Sequence, residues 1–502
     1  MTKQVPTRIA NILINALKGG VVPRAGLEYI TVGRTQEIAA ILHDIEMIEE
    51  GGASFRFIVG KYGSGKSFLL QTIRNYATAK GFAVVDADLS PERRFAGTKG
   101  QGLATYKELI KNLSTKSKPD GGALPLILEK WISGIQASVK DSFLSQGFGN
   151  ARDMEGSPAH SGGGQGDVKN GSPGEADAAE KAVFQEGQAS GKAQQACPGE
   201  TGACREAEDS AQAFDREVER RIYAVAGSLE GMVNGFEFAK AVVLYWKAYR
   251  QDDAALKSNV LRWFRGEYPT RKEAREDLGI NFIVTDETWY DFLKIFAAFL
   301  VGAGYRGMLV IIDELVNIFK IPNSITRANN YEKILTMYND VLQGKAQHIG
   351  FLMGGTPQCI EDKYKGVFSY EALRSRLAEG HFATADVKDL SAPIIRLQML
   401  NQEEMYILVE KLQNIHAGLY KYTPALTQED LVYFLTVEYN RVGAETHITP
   451  REIIRDFIEL INILYQNPTK SVAEILGDNS FEMAKGGLSE AEIHDDFKEF
   501  EV

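Results

Sequence analysis

Gly60-Lys61-Tyr62-Gly63-Ser64-Gly65-Lys66-Ser67 satisfies the pattern G-x-x-x-x-G-K-[ST], a spacing of residue types that suits a chain of phosphates. The glycines allow the backbone to curl so that several N–H groups point at one anion. Lys66 carries a charge long enough to reach the β- and γ-phosphates, and the Ser67 hydroxyl is a hard oxygen ligand suited to Mg²⁺. Phe55-Arg56-Phe57-Ile58-Val59 before the loop reads as a buried strand. Phe68-Leu69-Leu70 after it opens an amphipathic helix, whose first turn adds a positive dipole end. The expected nucleotide-binding set is Gly60, Tyr62, Gly63, Ser64, Gly65, Lys66, Ser67 and Phe68.

A second pattern lies far downstream. Met308-Leu309-Val310-Ile311-Ile312-Asp313-Glu314 is an apolar run ending in two carboxylates. Buried parallel strands read this way, and ligands collect at their carboxyl ends. Asp313 is expected to hold the Mg²⁺ shell through water. Glu314 is expected to orient and deprotonate an attacking water. Together the two patterns imply ATP and Mg²⁺ as cofactors and ATP hydrolysis as the reaction.

Strands alternating with helices predict an α/β fold, a parallel sheet with helices on both faces. Apolar periodicity predicts helices over 7–18, 36–49, 103–113, 124–143, 214–231, 236–250, 253–263 and 291–300. Further strands are expected at Phe82–Ala87 and His348–Thr356. Residues 1–120 and 286–400 then form two parts of one ATPase core, and a helical insertion spans 121–285. Within it, the stretch 147–210 is dense in Gly, Ser, Ala, Gln and Glu and is expected to be disordered. Residues 401–502 are expected to form a helical lid and an acidic tail.

The 502 residues are 44% hydrophobic and carry a formal net charge of -11, so any nucleic-acid contact would need a local basic patch. Three cysteines, Cys197, Cys204 and Cys359, make no disulfide framework and suit a reducing cytosol. The opening Met1–Pro6 lacks the apolar stretch of a signal peptide, and Phe296–Val301 is too short to span a bilayer. A cytoplasmic location without a membrane is the expectation.

Several segments together resemble the AAA+ ATPases of the origin-recognition and helicase-loader branch. Val32, Gly33 and Arg34, with Glu37, are similar to that family's Gly-Arg segment beside the adenine. Thr356 ends a strand where the family carries its first sensor. Arg374 and Arg376 lie where it carries an arginine finger for a neighbouring subunit. Arg451, in Thr449-Pro450-Arg451-Glu452, resembles the second sensor. A closer resemblance rests on Leu17–Pro23, Val32–Arg34, Gly102–Tyr106, Trp263–Glu267 and Thr288–Asp291. These are similar to the ATP-binding proteins of bacteriophage-exclusion (BREX) systems. The resemblance implies phage defence, work linked to DNA, and a homo-oligomer or a complex with a helicase or other defence protein. Loader-like relatives usually carry a C-terminal winged helix. The roughly 35 residues after Asn467 are expected to be too few for one, so DNA would meet the core, the insertion or a partner.

Two other readings compete. A slow nucleotide-gated switch would sense infection without motor activity; the Asp313-Glu314 pair favours hydrolysis over it. A small-molecule kinase of the P-loop class would leave the sensors and helical lid without a role.

Overall fold

The computed structural model describes residues 5–152, 201–227, 229, 232–378, 389–440 and 449–477. In chain order, α1 (Thr7–Lys18), α2 (Leu27–Ile30) and α3 (Thr35–Glu49) precede β1 (Ala53–Gly60), α4 (Lys66–Ala79) and β2 (Ala83–Asp88). Seven helices follow: α5 (Gln101–Lys111), α6 (Leu124–Arg152), α7 (Thr201–Gly227), α8 (Gly235–Gln251), α9 (Ala254–Phe264), α10 (Arg271–Leu278) and α11 (Trp289–Gly302). Then come β3 (Met308–Asp313), α12 (Val316–Phe319), α13 (Ser324–Leu342), β4 (Ile349–Gly355), α14 (Pro357–Glu361), α15 (Glu371–Leu377) and β5 (Ile394–Leu397). The last helices are α16 (Gln402–Tyr420), α17 (Gln428–Asn440), α18 (Pro450–Gln466) and α19 (Val472–Gly477).

The strands form one parallel sheet in the order β2-β3-β4-β1-β5, flanked by helices. This is the expected α/β architecture and is consistent with a P-loop ATPase core. β5 is a strand that the sequence reading missed; only four residues long, it offers too short a run for periodicity. β4 lies between β1 and β3, so the phosphate loop after β1 and the carboxylates after β3 face each other across a single strand.

The chain divides into two compact units, Met1–Trp131 with Ala224–Val502, and Ile132–Tyr223. Of the stretch read as an insertion, 121–285, residues 121–131 and 224–285 belong to the larger unit. In the smaller unit Val139, Val218 and Ile222 are buried, and Arg221 donates to Ser138 Oγ at 2.6 Å and Ser142 Oγ at 2.8 Å. Of the segment expected to be disordered, 153–200 lies outside the described residues. Its flanks differ from the expectation: α6 runs to Arg152 and α7 starts at Thr201. A helix closes its hydrogen bonds within its own backbone, and Ala, Glu, Gln and Arg favour it, so scarce aliphatic residues do not end one.

Within the larger unit the return from α11 to β3 is fixed by aromatic packing. Phe238 and Phe264 have ring centroids 5.1 Å apart, and Trp263 and Phe292 are 5.2 Å apart. Trp263 Nε1 donates to Phe282 O, Tyr106 Oη to Phe264 O, and Trp289 Nε1 to Phe95 O. Each large ring thus has its polar atom satisfied. At the other end of the chain, α1 and α2 share one hydrophobic cluster with α16, α17 and α18, including Leu13, Leu27, Val409, Phe434 and Phe457. The first and last helices therefore build one helical cap.

β1 is tied to α3 and to the segment entering β5 by a buried ion pair. Arg56 Nε and Nη2 reach Asp44 Oδ2 and Oδ1 at 2.6 and 2.7 Å, Ser54 Oγ donates to Asp44 Oδ2 at 3.0 Å, and Arg56 Nη1 donates to Ser391 O and Ala392 O. Removing one partner leaves a buried charge uncompensated, which costs about 3–5 kcal/mol. Asp44→Ala should therefore destabilise the protein by about that much in denaturant unfolding, while Asp44→Leu with Arg56→Met should recover most of it. Equal losses in the single and double variants would contradict this role.

Candidate functional site

The loop after β1 turns through two left-handed residues, Gly63 (φ 77°) and Gly65 (φ 85°), so glycine is required there. α4 begins at Lys66, directly after that turn. Lys66 Nζ donates to Gly60 O at 2.9 Å and Lys61 O at 3.1 Å, which holds the ammonium over the loop. Partial burial lowers its pKa; Asp313 and Glu314 oppose that shift, and Arg451 adds to it. The Ser64 side-chain oxygen is buried without a hydrogen-bond partner, and Ser64 O accepts from Arg34 Nη2 at 3.0 Å.

Ser67 Oγ donates to Asp313 Oδ2 at 2.9 Å, joining residues 246 apart in sequence. Asp313 reaches Ser67 past β4, and glycine on that strand makes the room. A Cβ added to Gly354 would lie 2.2 Å from Asp313 Oδ1. Asp313 Oδ1 accepts from Glu314 N at 2.8 Å, and Leu315 N donates to Gly354 O at 3.1 Å. Between these two bonds Glu314 adopts φ 63°, a left-handed conformation that costs a non-glycine residue on the order of 1–3 kcal/mol. Such strain persists where surrounding bonds fix it. Burial raises the Glu314 pKa, with Asp313 and Asp88 adding to the rise and Lys66 and Lys320 opposing it.

Asp88 was missed in the sequence, where the strand was ended at Ala87. It closes β2 in register with Asp313, and its pKa is raised by burial first and then by Asp313. The alternation Asp86-Ala87-Asp88 puts Asp86 and Asp88 on one face, but only the pairing of β2 with β3 brings Asp88 level with Asp313.

The remaining expected residues divide by location. Arg34 is buried and its guanidinium turns to protein: it donates to Ser64 O and Gln398 O and lies 4.0 Å from Glu37. It braces the loop against the end of β5. Gly33 is left-handed at φ 68°, and Lys411 Nζ donates to Thr31 O at 2.9 Å, tying this segment to α16. Val32 and Phe68 pack against the hydrophobic cluster of the helical cap. Thr356 directly follows β4, one residue beyond its end, and its hydroxyl accepts from Cys359 N as the N-cap of α14. Cys359 behind it is buried, its thiol pushed up to about 11 chiefly by burial. Arg451 comes to the loop, with Nη1 2.9 Å from Tyr62 Oη. Arg374 and Arg376 do not join this cluster among the described residues. Arg374 lies 3.6 Å from Glu371, and Arg376 donates to Ala372 O of their own helix, α15.

The residues fit a magnesium nucleotide. Ser67 and Asp313 offer two hard oxygens side by side, and Mg²⁺ commonly takes one or two protein oxygens and completes its shell with phosphates and water. Among the described residues no group of three or more His, Cys, Asp or Glu side chains forms a metal cage, and no helix is long and apolar enough to cross a membrane.

The family described as BREX system ATP-binding protein BrxC/D matches the chain over residues 5–154 and 198–480. No curated protein was found that matches it.

Lys66 supplies a cation at the mouth of the loop, and its bonds are to loop carbonyls rather than to the core. Lys66→Ala should lose ATP binding by at least about tenfold in titration calorimetry, with an unchanged circular dichroism spectrum. Wild-type affinity in that variant would remove the nucleotide assignment.

Proposed function

On the premise that this chain belongs to the BrxC/D family of BREX system ATP-binding proteins, we propose that it binds Mg·ATP at Gly60–Ser67 and hydrolyses it in phage defence. One observation carries the hydrolytic reading: Glu314 stands next to the Asp313–Ser67 pair in a strained left-handed conformation, with a raised pKa. In this reading the loop amides and Lys66 hold the phosphates, and Ser67 and Asp313 hold the metal, which neutralises charge developing on the phosphates. Glu314 orients the attacking water and takes its proton. Thr356 and Arg451 flank the γ-phosphate as sensors. Arg374 or Arg376 acts on a neighbouring subunit's nucleotide, a role supported by their exposure on α15 and by the resemblance. The protein would work on DNA in the cytoplasm, as a homo-oligomer or with a helicase or other defence partner.

The test is the ATPase rate of the purified protein. Glu314→Gln should slow hydrolysis about 10²–10⁴-fold while ATP binding persists. A base must be ionised to act, and the Glu314 pKa is raised. The rate should therefore fall on acidification at a pH above that of an ordinary glutamate, and this limb should vanish in Glu314→Gln. The Arg374→Ala/Arg376→Ala variant should be slow alone and recover activity when mixed with Lys66→Ala subunits. Stimulation by DNA that weakens with salt supports motor work; a flat, slow rate supports the switch. Normal turnover by Glu314→Gln would refute the assigned base.

A further inference from the structure

Tyr62 is an outward-facing side chain of the phosphate loop. It is 63% exposed, an unusual setting for a large aromatic residue in a nucleotide loop. Its exposed face carries a partner. Arg451 Nη1 donates to Tyr62 Oη at 2.9 Å, and the guanidinium carbon lies 5.4 Å from the ring centroid. The phenol therefore offers Arg451 both a hydrogen bond and a π face.

The backbone around this contact is fixed on both sides. Thr449 caps α18 through a reciprocal capping box with Glu452, and Pro450 occupies the first turn. Gly63 lies directly beneath: a Cβ added there would sit 2.7 Å from Thr449 Cβ and 3.6 Å from Pro450 Cδ. The arginine stem runs past Gly20, where an added Cβ would be 3.6 Å from Arg451 Cδ. Only the guanidinium end is left to be oriented. A long, half-free arginine loses much rotamer freedom when it is held, and a tyrosine with two χ angles holds it at little entropic cost. Arg451 also lies close enough to Lys66 to disfavour its charge.

We propose that Tyr62 is a positioning residue that holds the Arg451 guanidinium at the mouth of the phosphate loop, so that Arg451 favours a nucleoside triphosphate over a diphosphate. This rests on the reading of Gly60–Ser67 as the nucleotide site. In this reading the terminal oxygens of a triphosphate would meet the guanidinium, and a diphosphate would end short of it. Tyr62 acts through Arg451, so its effect should appear in the preference between the two nucleotides rather than in binding as such.

Full-length wild type, Tyr62→Ala, Tyr62→Phe, Arg451→Ala and the Tyr62→Ala/Arg451→Ala double variant should be titrated with ATP and with ADP in Mg²⁺, with Lys66→Ala as the control for the site itself. Tyr62→Ala should lower the ATP-over-ADP preference by about tenfold, with the larger loss of affinity falling on ATP. Tyr62→Phe, which keeps the ring, should fall between it and wild type. In the Arg451→Ala background the Tyr62→Ala change should have no further effect, since the residue it positions is gone. An unchanged ATP-to-ADP ratio in Tyr62→Ala, an equal loss for both nucleotides, or full additivity in the double variant would each overturn the proposal. Undiminished ATP binding by Lys66→Ala would instead overturn the site on which it rests.

Discussion

The hydrogen bond from Ser67 Oγ to Asp313 Oδ2 is the contact on which the candidate site depends. It joins the start of α4 to the end of β3, 246 positions apart, across the strand that separates β1 from β3. Three features make it possible. β4 pairs with both strands in parallel, so their carboxyl ends are level. Gly354 lacks the Cβ that would strike Asp313. The aromatic cluster of α8, α9 and α11 returns the long excursion between β2 and β3 to the sheet at a fixed place.

The helical cap acts on the same loop from above. Arg34 holds Ser64 O from beneath, Thr449 and Pro450 press on Gly63, and Arg451 meets Tyr62. α1 and α2, first in the chain, and α16–α18, near its end, share one apolar core, and the start of α18 meets the loop. A movement of the cap would therefore be felt at the phosphate loop directly, through packed side chains rather than through a flexible linker.

The phosphate loop, the acidic strand and the helix-rich α/β class were legible in the sequence because they rest on local signals: a fixed spacing, an apolar run, a period of 3.6. Leu17–Pro23, Gly102–Tyr106, Trp263–Glu267 and Thr288–Asp291 were legible as a resemblance, and the structure gives several of them a physical role. Trp289 reaches Phe95 O, Tyr106 reaches Phe264 O and Trp263 reaches Phe282 O, contacts between segments distant in sequence. What was not legible depends on register and on tertiary contact. Asp88 faces Asp313 only because β2 pairs with β3; Gly354 matters only because Asp313 crosses it; the four residues of β5 form a strand only beside β1. The ends of α6 and α7 were read by composition; the Ala and Glu of Thr201–Ser210 favour the longer α7, while nothing in Gly147–Arg152 explains the longer α6.

The central claim is that Ser67 and Asp313 together hold a metal on the nucleotide. Its most direct test is the ATP affinity of the wild type and of Asp313→Asn as Mg²⁺ is titrated from zero. ATP binding by the wild type should tighten with Mg²⁺, and that dependence should be largely lost in Asp313→Asn while residual metal-free binding is retained. An affinity that ignores Mg²⁺ in the wild type, or keeps its full Mg²⁺ dependence in Asp313→Asn, would contradict it.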